Sequence, residues 1–292
     1  MVRNVVSGEL GGGPNAAARE GSTVPTSNGY VLDESPARLG ELVPVPRAER
    51  GDRTALRRRL TRDGYLWLRG ALDPDLVRRF RRFYLERLAP TGVWEGPGDP
   101  ARVRQVLFGE VVPSPEYQAF CAQPAVLEWY RWFLGGEPHL HRRKIIRHVK
   151  PGERGIGLAT QAHYDLVYLR DGTDQVLSSW IPLGDCPVRR GGLVYLEGSH
   201  HHYLARERAG TARHPAASIT ADLPALADEL DARWLVADYA AGDMVVHTAH
   251  TVHAALDNVD TEVRLSTDIR YQRLDQPVDG RWQNDWHVDD GL

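Results

Sequence analysis

The sequence predicts a mainly β domain with flanking helices (α+β), an antiparallel sandwich or barrel backed by helices. Three observations carry this. Helical periodicity fills the first half of the chain and alternating periodicity the second, with the change near His139. No strand–helix–strand alternation announces a parallel sheet. The separators between alternating segments are rich in Gly, Pro and Asp.

Residues 1 to about 45 are rich in Gly, Pro, Ala and Ser without sustained periodicity, and read as a flexible N-terminal arm. Residues 46–292 then form one domain. Its first helix, ALRRRLTRDG, closes at Gly64, and the strand YLWLRG follows. Asp73-Pro74 supplies an N-cap and a first-turn proline to DLVRRFRRFYLERLA. That helix has a one-sided stripe: Leu76, Val77, Phe80, Phe83, Tyr84 and Leu88. Ser114-Pro115-Glu116 opens another helix, and AVLEWYRWFL ends at Gly135-Gly136 as C-caps prefer. From His139 the strands are HLHRRKIIRHVK, HYDLVYL, QVLSSWIPL, GGLVYLEG, DMVVHTAHTVHAA and EVRLSTDIRYQ. Residues 204–232 interrupt them as a polar, partly helical insertion.

Composition narrows the function classes. A net charge of −3 offers no global basic field for nucleic acid. The Arg-dense stretches at 57–62 and 78–82 fall in helical patterns and read as solvated faces. No apolar run approaches the roughly 18 residues that span a bilayer, and the N-terminus lacks a secretory core, so a cytoplasmic protein is expected. Cys121 and Cys186 are the only cysteines, too few for a disulfide framework or a zinc–cysteine cluster. Basic residues are nearly all Arg, with Lys144 and Lys150 the only lysines, which looks like the codon bias of a GC-rich genome.

The chemistry begins at His163-Tyr164-Asp165. On a strand, residues i and i+2 share a face, so imidazole and carboxylate converge. Alone the pair is a weak signal, and a polar pair on the surface is its plainer explanation. A second piece is the end of the chain, read as a hairpin of strands 244–255 and 262–271 around a turn at Leu256–Thr261. This register sets His253 opposite Arg264. Arg264, Ser266, Asp268 and Arg270 then share one face, and Val263, Leu265, Ile269 and Tyr271 the other. A row of polar groups facing a barrel interior requires water, a metal or a charged ligand there, whereas a solvent-facing row requires nothing. His247 shares the His253 face but falls roughly 20 Å earlier along the strand. It is read with His250 as structural or surface.

These residues carry a family resemblance. HYD, SSWIPLGDCPVRRGGLVYLEGSH, GDMVVHTAHTVHAALDN and EVRLSTDIRY, with RDGYLWLRGALDPDLV nearer the start, resemble the phytanoyl-CoA dioxygenase family of 2-oxoglutarate-dependent oxygenases. The resemblance spans residues 52 to about 272. It implies a double-stranded β-helix (jelly roll, cupin-like core) in which His163, Asp165 and His253 form a facial triad for Fe(II), with open positions for 2-oxoglutarate and O2. It implies that Arg264 grips the distal carboxylate of 2-oxoglutarate. It also implies that Trp180 stands near this co-substrate. Such an enzyme oxidises a substrate C–H bond and releases succinate and CO2. Hydroxylation is the main expected outcome, with desaturation, cyclisation or epimerisation as alternatives.

Where the family often has a serine two residues beyond the distal histidine, this chain has Ala255, and Ser266 is the candidate substitute. Asp165 disfavours a halogenase, in which a small residue takes that place. Gln161 and Arg104 are further candidates for the co-substrate pocket, and Tyr164, Tyr168 and Arg170 for the substrate. His201, His202 and His214 are assigned to a loop with a conceivable lid role. His200 belongs to a turn motif without chemistry. A small-molecule substrate, specialised metabolism and a monomer or homodimer complete the expectation. Rival readings are a redox-silent metal hydrolase or isomerase on a cupin-like barrel, which would not need Arg264, and a binding module without turnover.

Overall fold

A computed structural model describes residues 24–96, 98–153, 159–212 and 218–287. The strands are β1 (Thr26–Ser27), β2 (Tyr30–Val31), β3 (Leu39–Glu41), β4 (Tyr65–Leu68), β5 (Pro138–Leu140) and β6 (Ile145–Val149). They continue as β7 (Leu177–Pro182), β8 (Leu193–Leu196), β9 (Trp234–Val236), β10 (Met244–Thr248), β11 (His253–Ala255) and β12 (Arg264–Arg273). The helices are α1 (Arg53–Asp63), α2 (Pro74–Leu88), α3 (Pro100–Val106), α4 (Pro115–Cys121), α5 (Pro124–Leu134), α6 (Ser199–Arg208) and α7 (Leu223–Glu229).

The expected caps form. Asp52, Asp73 and Ser114 each accept a backbone N–H in the first turn of α1, α2 and α4, and left-handed Gly64 and Gly135 close α1 and α5. Arg57, Arg58, Arg62, Arg78, Arg79 and Arg82 are exposed, as solvated faces should be, whereas Arg59 is partly buried between Glu49 and Asp63. Arg81 is partly buried too: its guanidinium donates to the carbonyls of Leu183 and Val263 and ties α2 to the sheet. No helix among the described residues is long and apolar enough to cross a membrane.

The strands make a major sheet, β4-β10-β7-β12 with β5 and β6 both on β12, and a minor sheet, β11-β8-β9-β3. Period-two alternation determines what lies on each side. In the major sheet Leu66, Leu177, Ile181, Val246, Leu265 and Ile269 face the helices, where Phe80, Tyr84, Tyr117 and Tyr130 cover them. The opposite parity (Trp67, Trp180, Val245) meets Leu193, Tyr195 and Ala255 of the minor sheet, forming a core between the sheets. The outer face of the minor sheet packs Val194, Leu196 and Trp234 under Tyr203, Leu223 and Leu226 of α6 and α7. The two sheets make a double-stranded β-helix, a jelly roll.

Three expectations are corrected here. The segment after residue 23 is not a loose arm. Leu32 and Leu42 are buried, β3 pairs in parallel with β9, and the Asp257 carboxylate takes the backbone N–H groups of Asn28 and Gly29. Residues 1–23 lie outside the described residues. The second correction concerns 244–271, which is not a hairpin. β10 ends at Thr248, the chain crosses between sheets, and β11 pairs with β8 while β12 pairs with β5, β6 and β7. The corner at 256–261 is held by Asn258, whose amide nitrogen donates to the carbonyls of Val149 and Glu262. Gly191 packs against this corner with φ +80°, and a Cβ there would lie 2.6 Å from the Leu256 carbonyl oxygen. Finally, His201 and His202 lie on helix α6 and not on a loop, while His214 falls outside the described residues.

Candidate metal centre

His163 is not on a long strand. It forms an isolated bridge with His253, and Asp165 opens a 3-10 turn, Asp165–Tyr168. The backbone is still extended at Tyr164 (φ −125°, ψ 144°), so the His-x-Asp geometry survives for those three residues. His253 arrives from β11 across the bridge, with N–H to carbonyl bonds in both directions. The ligand atoms of His163, Asp165 and His253 all lie within 4.8 Å of one another. Asp165 Oδ1 is 3.8 Å from His163 Nε2 and 4.0 Å from His253 Nε2.

Both imidazoles are oriented the same way. His163 Nδ1 lies 2.8 Å from the Gln161 carbonyl oxygen and His253 Nδ1 3.0 Å from that of Thr251. A carbonyl only accepts, so each Nδ1 carries the proton and each Nε2 is left as a lone pair facing Asp165. Burial lowers the pKa of His163. Burial, with His163 and His247 beside it, holds His253 well below the ordinary range. Two neutral imidazoles and a carboxylate are the donor chemistry of a divalent iron site.

Asp165 is held ionised. Burial would raise its carboxyl, but the Arg270 guanidinium, with His247 and His253, outweighs that and keeps it well below the usual carboxylate range. Arg270 Nη2 donates to Oδ1 at 2.9 Å, and the Ser178 hydroxyl donates to Oδ2. His247 corrects another expectation. Its ring centroid is 4.4 Å from that of His253, and its Nε2 is 3.4 Å from Asp165 Oδ2. The 20 Å separation assumed one continuous strand, whereas the chain doubles back between the sheets. Ser178, His247 and Arg270 were all missed as members of this site. Parity sets Arg270 on the Arg264 face without giving it a role, and parity with Trp180 would have flagged Ser178.

An inner pocket behind the triad is lined by Trp180 from β7, His253 from β11, and Arg264, Ser266, Asp268 and Arg270 from β12. The β12 row thus faces inward as its parity predicts, and Arg264 meets His253 from the facing sheet instead of from a hairpin partner. Arg264 is buried and donates from Nη1 to Ser266 Oγ at 2.9 Å. Its Nε, and the indole nitrogen of Trp180, have no partner among the described residues. Buried donors without partners are costly, so this pocket suits a polar ligand. Burial pushes the Asp268 carboxyl up.

The pocket continues into an outer cleft of about 480 Å³ past His163 and Arg270. Gln161 and Tyr168 line this cleft. Tyr164 and Arg170 do not: the Tyr164 hydroxyl donates to Glu207, Arg170 pairs with the same carboxylate, and the Tyr164 ring packs on Tyr203. They brace α6 against the metal loop and are corrected as substrate contacts. Arg104 is exposed on α3 and lines neither cavity. His200 binds the Thr61 carbonyl, a structural role as expected.

A family model for phytanoyl-CoA dioxygenase matches residues 60–266. The chain belongs to the phytanoyl-CoA dioxygenase family. As such it is an iron(II)/2-oxoglutarate-dependent dioxygenase, and its donor set fits that metal. It is 27% identical to a 1-deoxypentalenic acid 11-beta-hydroxylase of Streptomyces exfoliatus, over 76% of this chain and 81% of that one. Among solved structures it resembles the non-heme alpha ketoglutarate dependent carbocyclase SnoK from nogalamycin biosynthesis. The TM-score is 0.57 at 23% identity, covering 86% of this chain and 92% of SnoK. It also resembles the epimerase SnoN in complex with Fe3+, alpha ketoglutarate and nogalamycin RO, with TM-score 0.53, 24% identity, and 76% and 85% coverage. At these identities the structural likeness is one of fold.

Proposed function

We propose that this dioxygenase hydroxylates a small organic molecule of specialised metabolism, with His163, Asp165 and His253 as the iron ligands. The observation that carries the reading is the tautomer lock. Both histidines spend Nδ1 on a backbone carbonyl and present Nε2 to one ionised carboxylate. In the same reading Arg264 holds the distal carboxylate of 2-oxoglutarate, with Ser266 and Trp180 beside it, and Gln161 and Tyr168 border the substrate.

Iron bound there with the keto acid supplies the redox chemistry, coupling dioxygen and decarboxylation to oxidation of a substrate C–H bond. The protein's own contribution is geometric. Arg270 and Ser178 fix the carboxylate, two carbonyls fix the imidazoles, and the inter-sheet core keeps bulk water from the co-substrate. Ring closure or epimerisation after the same hydrogen removal is the alternative outcome, and product analysis distinguishes it from hydroxylation. A cytoplasmic monomer or homodimer belongs to the proposal.

The test is anaerobic addition of iron(II) and 2-oxoglutarate. A weak visible charge-transfer band develops in the wild type and is lost in His253→Ala. In air, succinate release with a metabolite panel identifies the substrate. Full turnover by Asp165→Ala would refute the assignment.

A further inference from the structure

The outer cleft has a one-sided charge. Its described lining contains Arg143, Arg147 and Arg270 and no acidic residue. Arg270 is 5% exposed and donates Nη2 to Asp165, while its Nε and Nη1 are buried without a partner among the described residues. The Trp282 ring, 4.4 Å from the guanidinium carbon, fixes the plane of that group. Arg147 stands across from Ser266 in the β6–β12 register and lines the inner pocket as well as the cleft. Its side chain donates to the neutral Thr160 hydroxyl at 3.2 Å and makes no ion pair among the described residues. Asp268 lies in the inner pocket and not in the cleft; burial pushes its carboxyl up, against the pull of the Arg270 and Arg147 charges. Tyr168, Trp286 and Ile145 supply an apolar wall beside them.

Two guanidiniums bordering one cavity, one with buried donors left over, form a receptor for an oxyanion. Arginine's planar fork suits a carboxylate or a phosphate, and a buried donor without a partner is stabilised when such a group arrives. We propose that the substrate is an organic anion, its carboxylate or phosphate held between Arg147 and Arg270 and its apolar body lying against Tyr168 and Trp286. This rests on the oxygenase reading above and names the substrate class for the same site. It also orients the molecule: the anion binds at the Arg270 side of His163, and the carbon to be oxidised belongs to the body beyond it.

The test uses the anaerobic enzyme with iron(II) and saturating 2-oxoglutarate, titrated with 1-naphthoate, 1-naphthyl phosphate and neutral 1-naphthamide while tryptophan fluorescence is followed. At least one anion should bind tenfold or more tightly than the amide, and which one does so separates carboxylate from phosphate. Arg147→Gln should reduce that preference to threefold or less, and Arg147→Lys should retain part of it. Arg142→Gln, in an exposed pair with Asp285 outside the cleft, should leave it unchanged. Equal binding of all three probes, or a preference that survives Arg147→Gln, would overturn the proposal. So would an anion that erases the charge-transfer band by displacing 2-oxoglutarate. That band, recorded before any probe is added, reports the oxygenase reading separately. A band without anion preference removes only the substrate class, and anion preference without a band removes only the oxygenase reading.

Discussion

Arg270 and Asp165 are joined from Nη2 to Oδ1 at 2.9 Å inside the barrel, although 105 residues separate them. The carboxylate oxygen that faces both histidine Nε2 atoms is therefore also the one that the guanidinium holds.

Removing that guanidinium frees Asp165, the proposed iron ligand, to rotate. Partners of this kind are worth about 10–100-fold in metal affinity. Arg270→Gln is expected to weaken divalent-metal binding by at least about tenfold. Ser178→Ala, which removes the hydroxyl on the other oxygen, is expected to do less. Competition against a chromophoric chelator measures both, and an unchanged affinity in Arg270→Gln would show that Asp165 needs no outside support.

Arg264 is the only arginine of the inner-pocket row that spends a donor on Ser266, and Ala255 leaves that serine as the nearby hydroxyl on β12. Charge-assisted bonds are each worth about 1.5–3 kcal/mol. Arg264→Ala is thus expected to raise the 2-oxoglutarate requirement about a hundredfold, with kcat largely kept at saturation. Ser266→Ala should cost about two- to tenfold. Steady-state titration of 2-oxoglutarate checks both, and a Ser266 effect as large as the Arg264 effect would reverse their assigned roles.

Parity made β12 legible. Arg264, Ser266, Asp268 and Arg270 face inward because Leu265, Ile269 and Tyr271 must face the helices. The His163–Asp165 pair was legible too, since it needs only three extended residues. The break after Thr248 was not. Ala249, Val252 and Ala254 continue an apolar pattern, while the crossing is decided by distant partners. Thr251 Oγ1 donates to the Gly64 carbonyl, Val252 N–H to Ser199 Oγ, and Leu166 N–H to the Ala249 carbonyl. Local periodicity contains none of these bonds, so His247 was placed a strand length from its true neighbours. The pairing of β3 with β9 escaped for the same reason: a strand of three residues including Gly40 is defined only by its partner.

The corner that separates β11 from β12 depends on one side chain. Asn258 is fully buried, its amide nitrogen serves the Val149 and Glu262 carbonyls, and its Oδ1 accepts the Asp260 N–H. Asn258→Ala leaves these groups without partners at about 1–3 kcal/mol each. A stability loss of at least about 3 kcal/mol is expected in urea unfolding, while Asn258→Asp, which keeps only the acceptor, should recover little. A loss below about 1 kcal/mol would mean that water replaces the amide.

Acid should destabilise the fold through His141. Its ring is fully buried on Gln272 Oε1, and burial pushes its pKa down to about 4. The unfolded chain titrates near 6.5, so below that pH it takes up a proton that the folded chain refuses, and the equilibrium moves toward unfolding. The loss starts as pH falls through 6.5 and is complete near 4, where both forms are protonated. At pH 5 it amounts to about 2 kcal/mol relative to pH 7.5. His148, half-buried, with its pKa pushed down to about 4 by desolvation and its ring bonded to the Tyr84 hydroxyl, adds a contribution of the same sign. In the metal-free protein, His141→Gln should shrink the drop in unfolding free energy between pH 7.5 and pH 5 by about 2 kcal/mol. Parallel pH profiles for the variant and the wild type would show that His141 is protonated as readily in the folded chain as in the unfolded one.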